Sequence, residues 1–261
     1  MNKQNGKIKQ DQLNRMLEKK EYINLICKDL SYLDFSKANL EGVNFFGSNL
    51  ERSNFFGANL SKANLFGVNF SGANLSESIL VEADLVEADL SGANFERANF
   101  RGANLSGANL YKANFRGANL TQSNLEKTDL CYVNLLEANL KVVNFKEANF
   151  KKANFKNANF TGSCFLEANL VRTNFTKAIF ENSDLRWSNF SKANLSEAIL
   201  SGANLRGAIL SGANLRGSIF SGANLEKTDL KNADFWGANL KDADLTGAKN
   251  IDKAINLKIL N

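Results

Sequence analysis

The sequence predicts an all-β solenoid, and three regularities predict it. Every fifth residue from Leu25 to Leu245 is Leu or Phe without a break. The residue two places earlier is almost always Ala, Ser, Thr or Val, and the one between is Asn or Asp with few exceptions. Every glycine except Gly6 falls two places after the Leu or Phe. A period of five fits neither an ordinary helix nor a long strand, so a coil of stacked repeats remains.

The repeat explains itself position by position. With the Leu or Phe called i, residues i and i−2 share one face of a locally extended backbone, and i−1 points the other way. One large and one small apolar group therefore turn inward in each unit. Glycine at i+2 marks a corner, where positive φ or close backbone approach is wanted. The chain has no proline, which suits a ladder that uses each backbone N–H. Asn at i−1 recurs so regularly that it reads as a turn-compatible polar ladder, and Asn124→Ser is expected to matter little.

At these residues, for example Ser201-Gly202-Ala203-Asn204-Leu205, the chain resembles the pentapeptide repeat family, whose pattern is written A(D/N)LXX. The resemblance implies a right-handed quadrilateral β-helix with four units per coil, so that residues 20 apart stack and the repeat makes about 11 coils. At a strand spacing of ~4.8 Å the rod would be roughly 50 Å long. The resemblance further implies dimers through the C-terminal end, which are common in the family. Its quinolone-resistance members, which mimic DNA and bind gyrase, supply an alternative function.

The chain divides into residues 1–22, a tail with a capping helix, 23–247, the repeat, and 248–261, a C-terminal cap or tail. Leu13, Met16 and Leu17 have helical spacing among charges between Gln10 and Lys20, which predicts a short amphipathic helix lying over the first coil. Lys28 stands at an inward i−2 position and marks the first turn as irregular. Asn250 stands where Leu or Phe is due. Beyond it Ile251, Ile255, Leu257, Ile259 and Leu260 form an apolar tail that should cover the last coil or pair with a second copy.

Composition argues against an enzyme. There is no histidine, the commonest general base and metal ligand, and no phosphate-loop or zinc spacing, so no catalytic, cofactor or metal residues are assigned. Cys27, Cys131 and Cys164 are scattered and odd in number, which predicts free thiols. No signal peptide and no membrane span are evident, so a cytoplasmic protein without a membrane partner is expected.

What varies is the surface, and three stacked columns stand out. Phe46, Phe66 and Val86 form an apolar corner column that is either a contact surface or lies flat and shielded. Ile179, Ile199 and Ile219 replace Asn on one outward face, either as a packing strip or merely as good extended-backbone formers. Tyr111, Lys112, Tyr132, Lys151, Lys152, Arg172 and Lys192 share one corner edge and make a basic, aromatic strip able to follow phosphates. The net charge of +5 is modest and favours a merely solvated edge, so nucleic acid is not the expected partner; its sign also disfavours DNA mimicry toward gyrase. The reading that results is a rigid scaffold for a protein partner, with a C-terminal homodimer as its expected assembly.

Overall fold

The computed structural model describes residues 9–18 and 25–257. A helix, α1, spans Gln10–Glu18, and from Leu25 onward the chain winds into a coil in which residues 20 apart pair as parallel bridges, from Asp29↔Asn49 to Asp229↔Lys249. Each bridge involves the i−1 residue alone. The extended sides that the repeat predicts are therefore one bridge residue long, and no multi-residue strand forms among the described residues. The reason is geometric: a side is three residues between two tight corners, so only its middle residue has a paired peptide on both flanks.

The corners adopt one conformation throughout. Every i+2 residue from Cys27 to Gly247 has positive φ, including Lys, Glu, Arg, Tyr and Trp. Glycine holds this conformation at little cost, whereas a β-branched residue such as Val142 (φ 57) is a genuine outlier. The coil dictates the conformation; glycine only makes it cheap.

The interior is as the pattern requires. Every i residue from Leu25 to Leu240 is buried, and Phe145, Phe150, Phe155, Phe160 and Phe165 pack with ring centroids 4.8–6.0 Å apart, mostly in edge and offset-stacked arrangements. Hydroxyls at i−2 stay buried because each finds a carbonyl: Ser78 Oγ donates to Leu75 O at 2.6 Å and Thr128 Oγ1 to Leu125 O at 2.7 Å. No buried side-chain polar atom lacks a partner among the described residues.

The i−1 side chains do more than face water. Their Oδ1 accepts the N–H at i+1, as in Asn44 with Phe46 N–H (3.0 Å), closing the corner. Their Nδ2 donates one coil back, as from Asn114 to Asn94 (2.9 Å). An Asp can begin such a link but not continue it, hence Asp34 under Asn54 and Asp89 under Asn109. Asn124 holds three of these bonds, to Asn104, Asn144 and Glu126 N–H, so its replacement by Ser is not the neutral change that the pattern suggests.

The two ends depart from the frame. Lys28 is exposed instead of inward; Ser48 Oγ takes its place, donating to Leu25 O and accepting from Lys28 N–H (3.1 Å). Near it the Gln10 side chain pairs with the Asp34 backbone, Nε2 donating to Asp34 O (2.9 Å) and Oε1 accepting from Asp34 N–H (2.8 Å). The side chains of Leu13, Met16 and Leu17 lie outside the described part. At the other end a short 3-10 turn, Ile251–Lys253, shifts the register by one residue, so that Ile255 pairs with Asp234. Ile251 and Ile255 remain exposed, Leu257 packs against the interior, and Ile259 and Leu260 lie outside the described residues.

Candidate interaction surfaces

Four corner edges run the length of the coil, and side chains at i+1 and i+2 stack along them one rung at a time. On one edge, Phe46 and Phe66 lie parallel with centroids 5.4 Å apart. Phe46 is 41% exposed, whereas Phe66 and Val86 are half-buried. The column thus lies largely flat along the coil, part shielded and part available. Further along this edge Trp187 covers Gly207 so closely that a Cβ there would fall 2.3 Å from the indole. Trp187, Gly207, Ile209, Lys227, Asp229 and Lys249 bound a shallow groove of about 380 Å³.

The next edge gathers the basic and aromatic strip. Tyr111 and Tyr132 meet edge to face at 5.7 Å. Lys112 Nζ stands 5.0 Å from the Tyr111 ring centre and Lys152 Nζ 5.6 Å from that of Tyr132, whose hydroxyl it reaches at 3.3 Å. Lys151, Arg172 and Lys192 continue the edge, and its residues from Ser91 to Ser211 include no carboxylate. Tyr32 and Arg52 repeat the same pairing nearer the N-terminus, with Arg52 Nη1 3.2 Å from the Tyr32 hydroxyl. The sequence reading missed this pair although it stands in the same column.

Cys131 lies on this edge but is no nucleophile. Burial pushes its thiol up to about 11, and the neighbouring Asp129 adds to the shift, so the sulfur stays protonated. All three cysteines are free. No cluster of His, Cys, Asp and Glu that could hold a metal exists among the described residues. No helix there is long and apolar enough to cross a membrane.

Ile179, Ile199 and Ile219 pair directly as successive bridges. They are half-buried, with Ile79 lower in the same column. Ile209 stands apart, on the side beside Trp187. The flanking corners carry small residues at Ser201, Gly202, Gly217 and Ser221, and the ion pair of Lys177 with Glu197 lies along one of them. Beside the strip Trp236 is 62% exposed, with Arg216 over its ring at 5.6 Å and held in turn by Asp234 at 2.7 Å.

A coil of four five-residue sides, closed by identical corners and joined by parallel bridges, defines a pentapeptide β-helix. The comparisons agree. A profile described as pentapeptide repeats matches residues 34–72, 69–107, 168–207 and 208–247, and one described as pentapeptide repeat region matches 107–175. The chain belongs to the pentapeptide repeat family, whose members form right-handed quadrilateral β-helices and generally serve as structural or binding scaffolds.

Among solved structures it is similar to HetL, a pentapeptide repeat protein involved in heterocyst differentiation regulation from the cyanobacterium Nostoc sp. strain PCC 7120. The identity is 28% over 96% of this chain and 100% of that one, with a TM-score of 0.39. Full-length QnrB1, a plasmid-mediated fluoroquinolone resistance protein, is 18% identical over 87% of this chain and 90% of its own, TM-score 0.30. Rfr23 from the cyanobacterium Cyanothece 51142 is 26% identical over 45% and 86%, TM-score 0.21. A search of curated proteins finds no match.

Proposed function

We propose that this protein is a non-enzymatic scaffold, a rigid rod of about eleven coils that offers stacked columns of side chains to a macromolecular partner. The observation that carries this reading is the contrast between an invariant interior and edges that differ from one another. Apolar, cationic and mixed-charge columns sit at fixed rung spacing on one backbone. α1 is the lid of the first coil on this reading, since the Gln10 amide occupies the backbone groups that a preceding coil would otherwise pair.

The candidate protein-docking surfaces are the Ile179/Ile199/Ile219 strip and the Phe46/Phe66/Val86 column. The test is capture of a cellular protein by immobilised rod, compared with Ile199→Asn and Phe46→Ser rods that melt normally. A partner held by the parent and lost by one of these supports the scaffold; indifference to both removes these two surfaces from it.

The C-terminal end is the candidate homodimer surface. On the last coil the backbone N–H groups of Leu240, Asp242, Leu245 and Gly247 make no bond among the described residues, and Ile251 and Ile255 are exposed beside them. Such an edge invites pairing. Light scattering of Ile251→Asn/Ile255→Asn should show a monomer where the parent is a dimer; an unchanged mass excludes the tail.

Topoisomerase binding by DNA mimicry remains the alternative. It needs a continuous negative field, whereas one edge here carries only cations from Ser91 to Ser211 and others mix both signs. The expected result in a supercoiling assay is no protection of gyrase from a quinolone.

A further inference from the structure

We propose that the edge from Tyr111 to Lys192 binds single-stranded nucleic acid, with phosphates along its cations and bases against its two tyrosines. The proposal rests on the scaffold reading and assigns a partner class to one of its surfaces. The net charge of the chain, +5, conceals how that charge is distributed. Lys112, Lys151, Lys152, Arg172 and Lys192 are five cations on a stretch of one edge, from Ser91 to Ser211, that holds no carboxylate. None of the five enters an ion pair among the described residues. Four of them stand at the same corner position, separated by whole coils of ~4.8 Å, so the cations form a line of roughly 20 Å and not a patch.

The tyrosines make the line more than a charged edge. Tyr111 is 38% and Tyr132 48% exposed, and each is steadied by a lysine over its ring or at its hydroxyl. Aromatic platforms beside a cationic track are how single strands are held without sequence preference. Width selects the single strand over the duplex. One side of the coil is three extended residues, ~10 Å, and beyond it on either hand lie edges of mixed sign, Glu126, Glu147 and Glu167 with Lys127 and Lys146, and Glu137 and Glu197 with Arg116, Lys156 and Lys177. A duplex would overlie those carboxylates. Asp129, on the adjoining side, already accepts from Cys131 N–H at 3.0 Å and Asn149 Nδ2 at 3.5 Å.

The backbone supplies an independent observation. Beside Lys151, Lys152 and Lys156 the ladder is interrupted: Tyr132, Leu135, Glu137 and Asn159 N–H groups make no backbone bond, and Asn154 N–H reaches Val133 O only at 3.5 Å. The Asn134 and Asn154 side chains are not linked, although Asn114 and Asn134, and Asn154 and Asn174, are. At this rung Lys152 stands over Tyr132, and a strand bound along the edge would span the two coils on either side of the gap and let it close.

The probe is labelled oligothymidylate, read by fluorescence anisotropy at about 50 mM salt and upward. Lys112→Gln/Lys152→Gln/Arg172→Gln/Lys192→Gln should weaken binding at least tenfold. Its salt slope should be shallower by about 0.7 per lost phosphate contact. The charge-matched control Lys37→Gln/Lys62→Gln/Arg101→Gln/Lys241→Gln should stay within about twofold of the parent, because salt-dependent affinity follows local contacts. Tyr132→Ala should weaken binding with the slope unchanged, and amide exchange over residues 132–137 should slow when the oligonucleotide binds. The proposal is overturned by absence of binding at low salt, by an equal loss in the control, or by equal affinity for a duplex, polyglutamate or anionic vesicles. Thermal melting confirms that each variant is folded. Failure here with protein capture intact removes only this edge, whereas failure of both removes the scaffold.

Discussion

Two neighbouring edges, built on the same coils by the same corner conformation, treat charge in opposite ways. On the edge that begins with Phe46, cations and carboxylates alternate and pair: Lys146 lies 3.8 Å from Glu126 and 3.2 Å from Glu147, and Glu226 is shared by Arg206 and Lys227. On the edge from Tyr111 to Lys192 no cation is paired with a carboxylate among the described residues, and Lys112 and Lys152 lie against tyrosine rings. The backbone distinguishes the two only at the gap beside Lys151 and Lys152. The i and i−2 positions carry the fold, which leaves i+1 and i+2 free to hold charges in any sign order.

The shared interior is where the comparison breaks first. Leu125→Asp places an unpaired carboxylate among buried Leu and Phe side chains beneath both edges, at a cost of several kcal/mol, and thermal unfolding should show a severely destabilised rod. An unchanged melting temperature would overturn the inward assignment of i.

Acid should separate the ends next. Asp34, Asp229, Asp234 and Asp244 sit below the usual carboxylate value: Asp34 through the Ser36 N–H, Asp234 through Asn256, Asp244 through Thr246, and Asp229 because Asn250 and Lys231 outweigh its burial. A depressed folded pKa gives stability that is present above the unfolded value of 3.8 and lost as pH falls through the folded ones. Amide exchange should therefore rise first in the terminal coils and beside Asp184, whose burial the Arg186 bonds outweigh, below that pH; uniform loss along the rod would contradict this.

Two glycines sharpen the contrast between the edges. Gly207 and Gly212 have φ near 70°, but a Cβ at Gly212 meets only Lys192 Cγ at 3.6 Å, whereas at Gly207 it strikes the Trp187 ring. Gly212→Ala should cost about 1 kcal/mol, for the left-handed backbone alone. Gly207→Ala should cost more and shift Trp187 fluorescence, and equal costs would mean that the indole is not seated there.

The smallest effect is the most direct reading of charge. Lys146→Gln removes two ion pairs and should lower the melting temperature slightly, while Lys152→Gln relieves repulsion and should raise it or leave it unchanged. Shifts of the same sign would erase the distinction between the edges.

The sequence by itself determined a solenoid with Leu, Phe and Ala turned inward, because neither a helix nor a long strand has a five-residue period, and the resemblance to the pentapeptide repeat family supplied the four-sided coil. It determined the corners too: every glycine after Gly6 marks a left-handed residue. It placed Tyr111, Lys112 and Lys192 on one edge by counting twenties. Only the tertiary structure decided the rest. The single-residue bridges, the direction of the Asn ladder that gives Asn124 three bonds, the Gln10 pairing with Asp34 and the outward Lys28 all depend on contacts across coils or at ends where the period stops. The same holds for charge. Whether a lysine is neutralised depends on its neighbours one coil above and below and at the next corner. Composition sums over all of them, so a net charge that argued for a solvated edge concealed a line of five unpaired cations.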